Sequence, residues 1–416
     1  ETGGGVSDPA VQVANAQVAI TRRCTHRKLL WTPSEPWIQE GFLYLWAWAA
    51  HQLKVRIHGV ALEPNHYHGD VTPTKANLPQ FTQRAHRDSA LFLMDALEEL
   101  GYDRPPCVWD KEPTHYMRLM DTGACIDWAL YMRAQPVADG LVERTADYPG
   151  INTPLALRGG GTMALKRPAL RHTPDMPTEL EVKIWPSALL TRGFGGDVRK
   201  SVHVLEKRER ELEARFRAER KRTGKRVLGA DLVKRIHPYA EPRTPRQQGP
   251  RPPAWKVGGE AMESREDIEA KRERLAEEHA RFVDEHGACR RKWRAGERDV
   301  IYPAGTYEMA VEHRVSVAEP REDAWLCAPG DLSMVPDGGR PKVTVGVDVD
   351  AVMEALKEDA LGEVTQPGDV LRPEEERAEG EAEGTELESP ARSAEREHPP
   401  RQVTHRTRRG KPKAPS

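Results

Sequence analysis

Long apolar runs are missing from this chain: no stretch approaches the ~20 consecutive apolar residues that a membrane-spanning helix needs, so no membrane association is expected. Cysteine is scarce. The 5 residues Cys24, Cys107, Cys125, Cys289 and Cys327 are odd in number and form no Cys-x-x-Cys pair, which argues against a disulfide framework and a zinc ribbon and fits a reducing cytoplasm. Apolar residues make up only 38% of the 416 positions, against 31% charged, and 34 prolines accompany 33 glycines, so one to three domains are expected and much of the chain lies outside any core. The opening Glu1-Thr2-Gly3-Gly4-Gly5 shows neither an initiating methionine nor a signal peptide and is expected to be a fragment or a processed end. The glycine run Arg158-Gly159-Gly160-Gly161-Thr162 lacks the Lys-Ser/Thr pair of a phosphate loop, and Gly193-Phe194-Gly195-Gly196 lacks a strand-then-helix frame; both are taken as connectors.

What is present is a pair of imidazoles two residues apart in a run with strand alternation, His58-Gly59-Val60-Ala61-Leu62-Glu63-Pro64-Asn65-His66-Tyr67-His68-Gly69-Asp70. Residues i and i+2 of a strand point to the same face, so His66 and His68 can aim at one divalent ion while Tyr67 turns away. The competing reading is that these histidines simply decorate the polar face of a sheet. Val55 to Leu62 reads as a preceding strand, Pro64-Asn65 supplies turn chemistry, and Asn77 to Leu100 reads as a long helix. Trp31, Trp37, Trp46 and Trp48 cluster around a first helix whose face Phe42, Leu45, Trp46 and Ala49 is expected to pack on the sheet rather than to stack on bases.

This order resembles the single-strand DNA transposases of bacterial insertion sequences and their REP-associated tyrosine transposase relatives, the His-hydrophobic-His class. The histidine segment is similar to theirs, Ile20-Thr21-Arg22-Arg23-Cys24-Thr25-His26-Arg27-Lys28-Leu29-Leu30 resembles their first strand with its basic flank, and Ile126 to Tyr148, with Gln135-Pro136-Val137 and Gly140-Leu141-Val142, resembles their closing helix. The match covers residues 17 to 153. It implies an α+β, ferredoxin-like antiparallel sheet with helices on one face, cytoplasmic and bacterial in type. It also implies binding of single-stranded or hairpin DNA, with phosphate contacts from Arg22, Arg23 and Arg27, and a homodimer kept open.

Members of that class cleave single-stranded DNA by attack of a tyrosine hydroxyl on phosphorus while a histidine-bound divalent metal, Mg or Mn, polarises the phosphate. The resemblance puts the metal on His66 and His68 and seeks the tyrosine on the helix after the histidine strand, where its position falls at or near Ser89. No tyrosine lies on that helix, and Leu93 stands where relatives carry a polar third ligand; His86 or Asp88 would be alternatives. Ser89 is thus the candidate catalytic residue, set against the reading of a solvated or back-bonded helix serine. A local misalignment would instead leave the nucleophile among Tyr102, Tyr116 and Tyr131. Two function classes follow: a metal-dependent nuclease and strand transferase of DNA transposition, or a DNA-binding module that cannot cut. A structural protein organised by charged helices is a third.

Outside this domain, residues 1 to 16 are expected to be disordered, 154 to 198 a connector, 199 to 318 a charged helical accessory region, 319 to 361 irregular, and 362 to 416 a disordered charged tail. Between Lys207 and Arg226 stand 10 basic and 4 acidic residues, with Leu205, Leu212 and Phe216 at helical spacing. That is either a helix that follows a phosphate backbone or one laced with internal ion pairs. A Pro/Arg-rich linker, 242 to 253, leads to a second long helix, Glu260 to Arg294, with an inward stripe of Ile268, Leu275, Phe282 and Trp293 and a stop at Gly296. Val300 to Tyr307 reads as a strand and turn. In the tail an acidic block, 374 to 388, precedes a basic end, 401 to 413.

Overall fold

The computed structural model describes residues 9 to 242 and 253 to 331. Residues 1 to 8, nearly all of the Pro/Arg-rich linker, and the charged tail with its acidic block and basic end lie outside the described residues, which all belong to one compact unit. Among them no helix is long and apolar enough to cross a membrane.

Alternation of β-branched and small residues produces β1 (Val18–Arg23), and a Pro at the first turn opens α1 (Pro36–Leu53), which ends on Lys54 in the left-handed conformation. The hairpin β2 (Val55–Glu63) and β3 (His66–Pro73) turns at Pro64-Asn65, and α2 (Leu78–Glu99) follows. Then come β4 (His115–Leu119) and α3 (Thr122–Ala138), the latter capped by the Asp121 side chain. The five-stranded sheet runs β2-β3-β1-β4 and then β7 (Trp255–Lys256), with β1 antiparallel to both β3 and β4. Its first four strands have the order and βαββαβ succession of a ferredoxin-like fold, as expected. The fifth, β7, is contributed by the accessory region and lies parallel to β4.

α1 and α2 cover one face, where Phe42, Trp46, Phe81 and Phe92 of the helices are buried with Tyr67 of β3 and Trp31 of the loop before α1. The tryptophans behave as core: Trp31, Trp46 and Trp48 are buried, and Trp37 packs edge-on against Phe92. The opposite face does not lie open to solvent. Ala19, Ala61, Met117 and Leu119, at alternate strand positions, are buried by α3, which is backed in turn by α5 (Val198–Thr223). A polar layer shares this face: Asp70 accepts from Gln17 and pairs with Arg158 at 2.8 Å. Strand β2 shifts register between Ile57 and Gly59, where a Cβ would stand 2.4 Å from the Arg158 guanidinium, so glycine lets that side chain through.

The connector holds the hairpin β5 (Thr162–Lys166) and β6 (Glu179–Lys183), followed by the short α4 (Ala188–Arg192). Beyond α5 lie a further turn of helix, α6 (Ala230–Val233), and the strand β7. The last long helix, α7 (Arg265–Arg294), opens with a Ser264–Asp267 capping box and buries Ile268, Leu275 and Phe282 as its sequence stripe predicts; Trp293 is only half-buried. Residues 301 to 317 add β8 (Ile301–Tyr302), α8 (Glu308–His313) and β9 (Ser316–Val317). At the start of the described chain, residues 9 to 16 are tied in: Gln12 N–H donates to Gly305 O, Asn15 N–H to Pro73 O, and Ala16 is buried.

Candidate functional site

Strand β3 delivers His66 and His68 to the face that α3 covers, with ring centroids 4.6 Å apart, and sends Tyr67 to the other, where its hydroxyl meets His86 Nε2 at 2.7 Å. Each imidazole is oriented through Nδ1: His66 by Asn65 Oδ1 at 2.6 Å, His68 by Thr21 Oγ1 at 3.0 Å from the neighbouring strand. Burial lowers the pKa of His66 to about 3, with the Arg23 charge adding to the effect, and holds His68 well below the usual imidazole range. Both rings are therefore neutral at pH 7, the form that ligates metals. His68 Nε2 is buried with no hydrogen-bond partner, and in the tautomer protonated on Nδ1 it presents a lone pair that fits a cation. His58, third histidine of the same stretch, is occupied: Nδ1 meets Trp185 O and Nε2 meets Thr72 Oγ1, each at 2.8 Å.

Helix α3 brings a tyrosine to these rings. Tyr131 lies edge-on to His68 at 5.2 Å and stacks on Trp128 at 5.4 Å, while Trp128 also meets His68 edge-on at 5.3 Å. The Trp128 indole N–H donates to Gly69 O at 3.2 Å, which pins the helix to the residue that follows His68. Gln135, one turn beyond Tyr131 on the same side of α3, is buried and donates to Asp139 at 3.2 Å. Burial raises the Tyr131 phenol above its ordinary pKa, and the Glu63 and Asp139 charges push the same way. Glu63, the register partner of His66 on β2, is buried with Oε1 unpaired, and its own pKa is raised well up by burial. Among the described residues no three His, Cys, Asp or Glu side chains converge as a metal cluster. His66 and His68 are thus a half-site, with the Gln135 amide and the Glu63 carboxyl on the elements that flank it.

Ser89 stands elsewhere. It is fully buried on α2, behind the Tyr67 face of the sheet, and its hydroxyl donates to Ala85 O at 2.6 Å, so it is a back-bonded helix serine that does not reach the histidines. Leu93 is core on the same helix, and His86 is spent on Tyr67. Tyr116 shares a hydrogen bond with Thr82 on that face too, and Tyr102 lies beyond the end of α2. Of the four hydroxyl residues considered from the sequence, the structure brings Tyr131 alone to the histidine pair.

The three arginines part ways. Arg22 points to the α1/α2 face and donates to Asp110 O at 2.7 Å and to Glu112 O, which fixes the segment entering β4. Arg23 is exposed beside its strand partner His66. Arg27 sits in the short helical turn Thr25–Arg27 with a positive φ of 56°.

Helix α5 is an internal clamp over part of its basic length. Glu209 pairs with Arg133 at 2.8 Å, Glu213 accepts from Thr145 N–H, and Arg220 reaches Val137 O and Glu143.

No family model matches the chain, and neither does any curated protein. Among solved structures it is similar to one described as a REP-associated tyrosine transposase bound to a REP hairpin, at 14% identity over 34% of this chain and 78% of that one, with a TM-score of 0.27. That likeness is weak.

Proposed function

We propose that this protein is a transposase-like enzyme that cuts and rejoins single-stranded or hairpin DNA, with Tyr131 as nucleophile and a divalent cation, Mg or Mn, held by His66 and His68. The observation that carries this reading is the approach of the Tyr131 ring to His68, 5.2 Å between centroids, across a strand–helix interface where His68 Nε2 has no partner. The bound cation would supply charge to the scissile phosphate.

The chain's own groups do the rest. Burial keeps the phenol protonated at neutral pH, so it becomes nucleophilic only where positive charge stands near; Arg23 already places one on that side. Trp128 stacks on the Tyr131 ring and holds it in place, and Thr21 fixes the plane of His68. Attack by the Tyr131 oxygen on phosphorus forms a phosphotyrosine bond and breaks the phosphorus–oxygen bond to the released strand, whose oxygen leaves as a hydroxyl.

Incubation with labelled hairpin oligonucleotide and Mn²⁺ should give a covalent adduct on denaturing gels. Ser89→Ala should retain it, while Tyr131→Phe or chelation should abolish it. An adduct that survives Tyr131→Phe sinks the assignment. A second reading, a module that binds DNA without cutting, is favoured by the burial that holds the Tyr131 phenol protonated beside a two-histidine half-site; DNA binding with no adduct in any divalent metal would select it.

A further inference from the structure

Three segments far apart in sequence meet beside the histidine end of the sheet. After β1, residues 24 to 31 run along the hairpin turn: Cys24 N–H donates to Asn65 O at 2.7 Å and Trp31 N–H to Pro64 O at 2.8 Å. Within that loop Leu29 N–H donates to Ala240 O at 3.0 Å, which docks the segment after α6 onto it. Lys28 Nζ consequently lies 5.2 Å from the centre of the Tyr239 ring. Tyr102, just past α2, completes the group: it meets His237 edge-on at 5.2 Å and Tyr239 at 6.5 Å, while His237 and Tyr239 stand 6.0 Å apart. The Tyr239 hydroxyl donates to Asp103 O, so the ring is fixed in place.

This cluster sits at the rim of the core, against which Tyr102 and Tyr239 pack. His237 is exposed, Tyr102, Tyr239 and Lys28 are half-buried, and Lys234 and Arg235 on the same segment are exposed cations. The loop that carries Lys28 is also strained, with the successive non-glycine residues His26 and Arg27 at φ of 50° and 56°. Partly exposed rings, set among cations and continuous with the turn that launches the histidine strand, have the composition of a stacking platform. Bases of any identity offer a π-face to such rings, and the neighbouring cations follow the phosphates.

We propose that Tyr102, His237 and Tyr239, with Lys28, Lys234 and Arg235, form a platform for single-stranded nucleic acid that guides a strand past the turn at Pro64-Asn65 toward His66. The idea rests on the nucleic-acid reading of the histidine site but concerns a separate surface. Its test is binding of a short oligothymidylate and of an abasic oligonucleotide of equal length. The variants are His237→Ala and Tyr102→Leu, with Tyr102→Phe as the conservative partner, and each fold is checked by thermal melting.

Loss of a stacking ring should weaken oligothymidylate binding about tenfold and leave abasic binding within about twofold, and Tyr102→Phe should bind as the parent does. His237 is exposed, so its variant carries the test even if Tyr102→Leu unfolds. Unchanged affinity, equal loss on both oligonucleotides, or no binding of oligothymidylate by the parent protein overturns the platform. Adduct formation by the same variants separates the two ideas. A parent that binds and discriminates the two oligonucleotides but forms no adduct refutes the nuclease and upholds the platform, whereas an adduct with indifferent variants does the reverse.

Discussion

His86 shows how a single buried side chain sets the response to acid. It is enclosed between Tyr67 and Trp109, and burial, helped by the Arg22 charge, lowers its pKa from 6.5 to about 3. Protonation is therefore easier in the unfolded chain than in the folded one over that interval. Stability contributed by the neutral ring is present in full above about pH 6.5 and is lost as the pH falls toward 3. His86→Gln keeps an acceptor for the Tyr67 hydroxyl but cannot titrate. The melting temperature of the parent should fall faster than that of His86→Gln between pH 7 and pH 4, and parallel acid curves would show that His86 is not the group responsible.

At the scale of elements, the sequence spoke clearly where one face of an element repeats. The strands either side of Pro64-Asn65, the helix from Asn77, the buried stripe of α7 and the shared face of His66 and His68 all follow from periodicity, and all are found. What periodicity does not say is which face a helix covers. The resemblance points to a nucleophile on α2 because that helix follows the histidine strand, yet α2 lies behind Tyr67, and α3 covers the histidines.

Tyr131 is one of three tyrosines that a local misalignment leaves open, and only its contact with His68 across the sheet, which no spacing in the sequence states, sets it apart. Arg22 and Arg23 illustrate the same limit, since adjacent strand residues go to opposite faces and only the second stands beside His66.

What holds α3 in place is Asp121. Its carboxylate accepts from Ala124 N–H at 2.8 Å as the helix cap and from Gly258 and Gly259 N–H at 3.0 and 2.9 Å. The backbones of Gly123 and Gly258 approach so closely that a Cβ on either would lie about 2.5 Å from the other's chain. Asp121→Ala removes the cap and both cross-links together and should cost roughly 2 to 4 kcal/mol of unfolding free energy in urea titrations. A loss within a few tenths of a kcal/mol would mean that α3 is held by its packing alone.

For the molecule as a whole, the accessory region is built into the sheet rather than appended to it. β7 extends β4, and Arg118 on β4 donates to Leu326 O and Ala328 O at 2.5 and 2.8 Å. Glu278 of α7 receives the N–H groups of Trp325, Leu326 and Cys327, each at 2.9 Å. Three parallel donors on one carboxylate form an anion-binding nest whose occupant is a side chain of the same protein. Glu278→Gln presents one acceptor and one donor to that nest, so residues 325 to 327 should exchange their amide hydrogens faster while the middle of α2 keeps its protection. Equal exchange in both proteins would remove Glu278 from this role. A two-residue strand such as β7 leaves no periodic trace, which is why the sequence alone assigned this region to a separate set of helices.

The grip of Asp121 on Gly258 and Gly259 also has a consequence in time. The bond to Gly258 spans 137 positions of chain. During synthesis the first four strands and α1 to α3 leave the ribosome well before residue 258, at about 5 to 20 residues per second, so the helix that carries Tyr131 exists for seconds with its Asp121 anchor half made. Closing so long a loop comes late and slowly compared with forming the hairpin beside it. The histidine strand is thus assembled early, and the tyrosine helix is locked against it last, when the accessory chain has arrived.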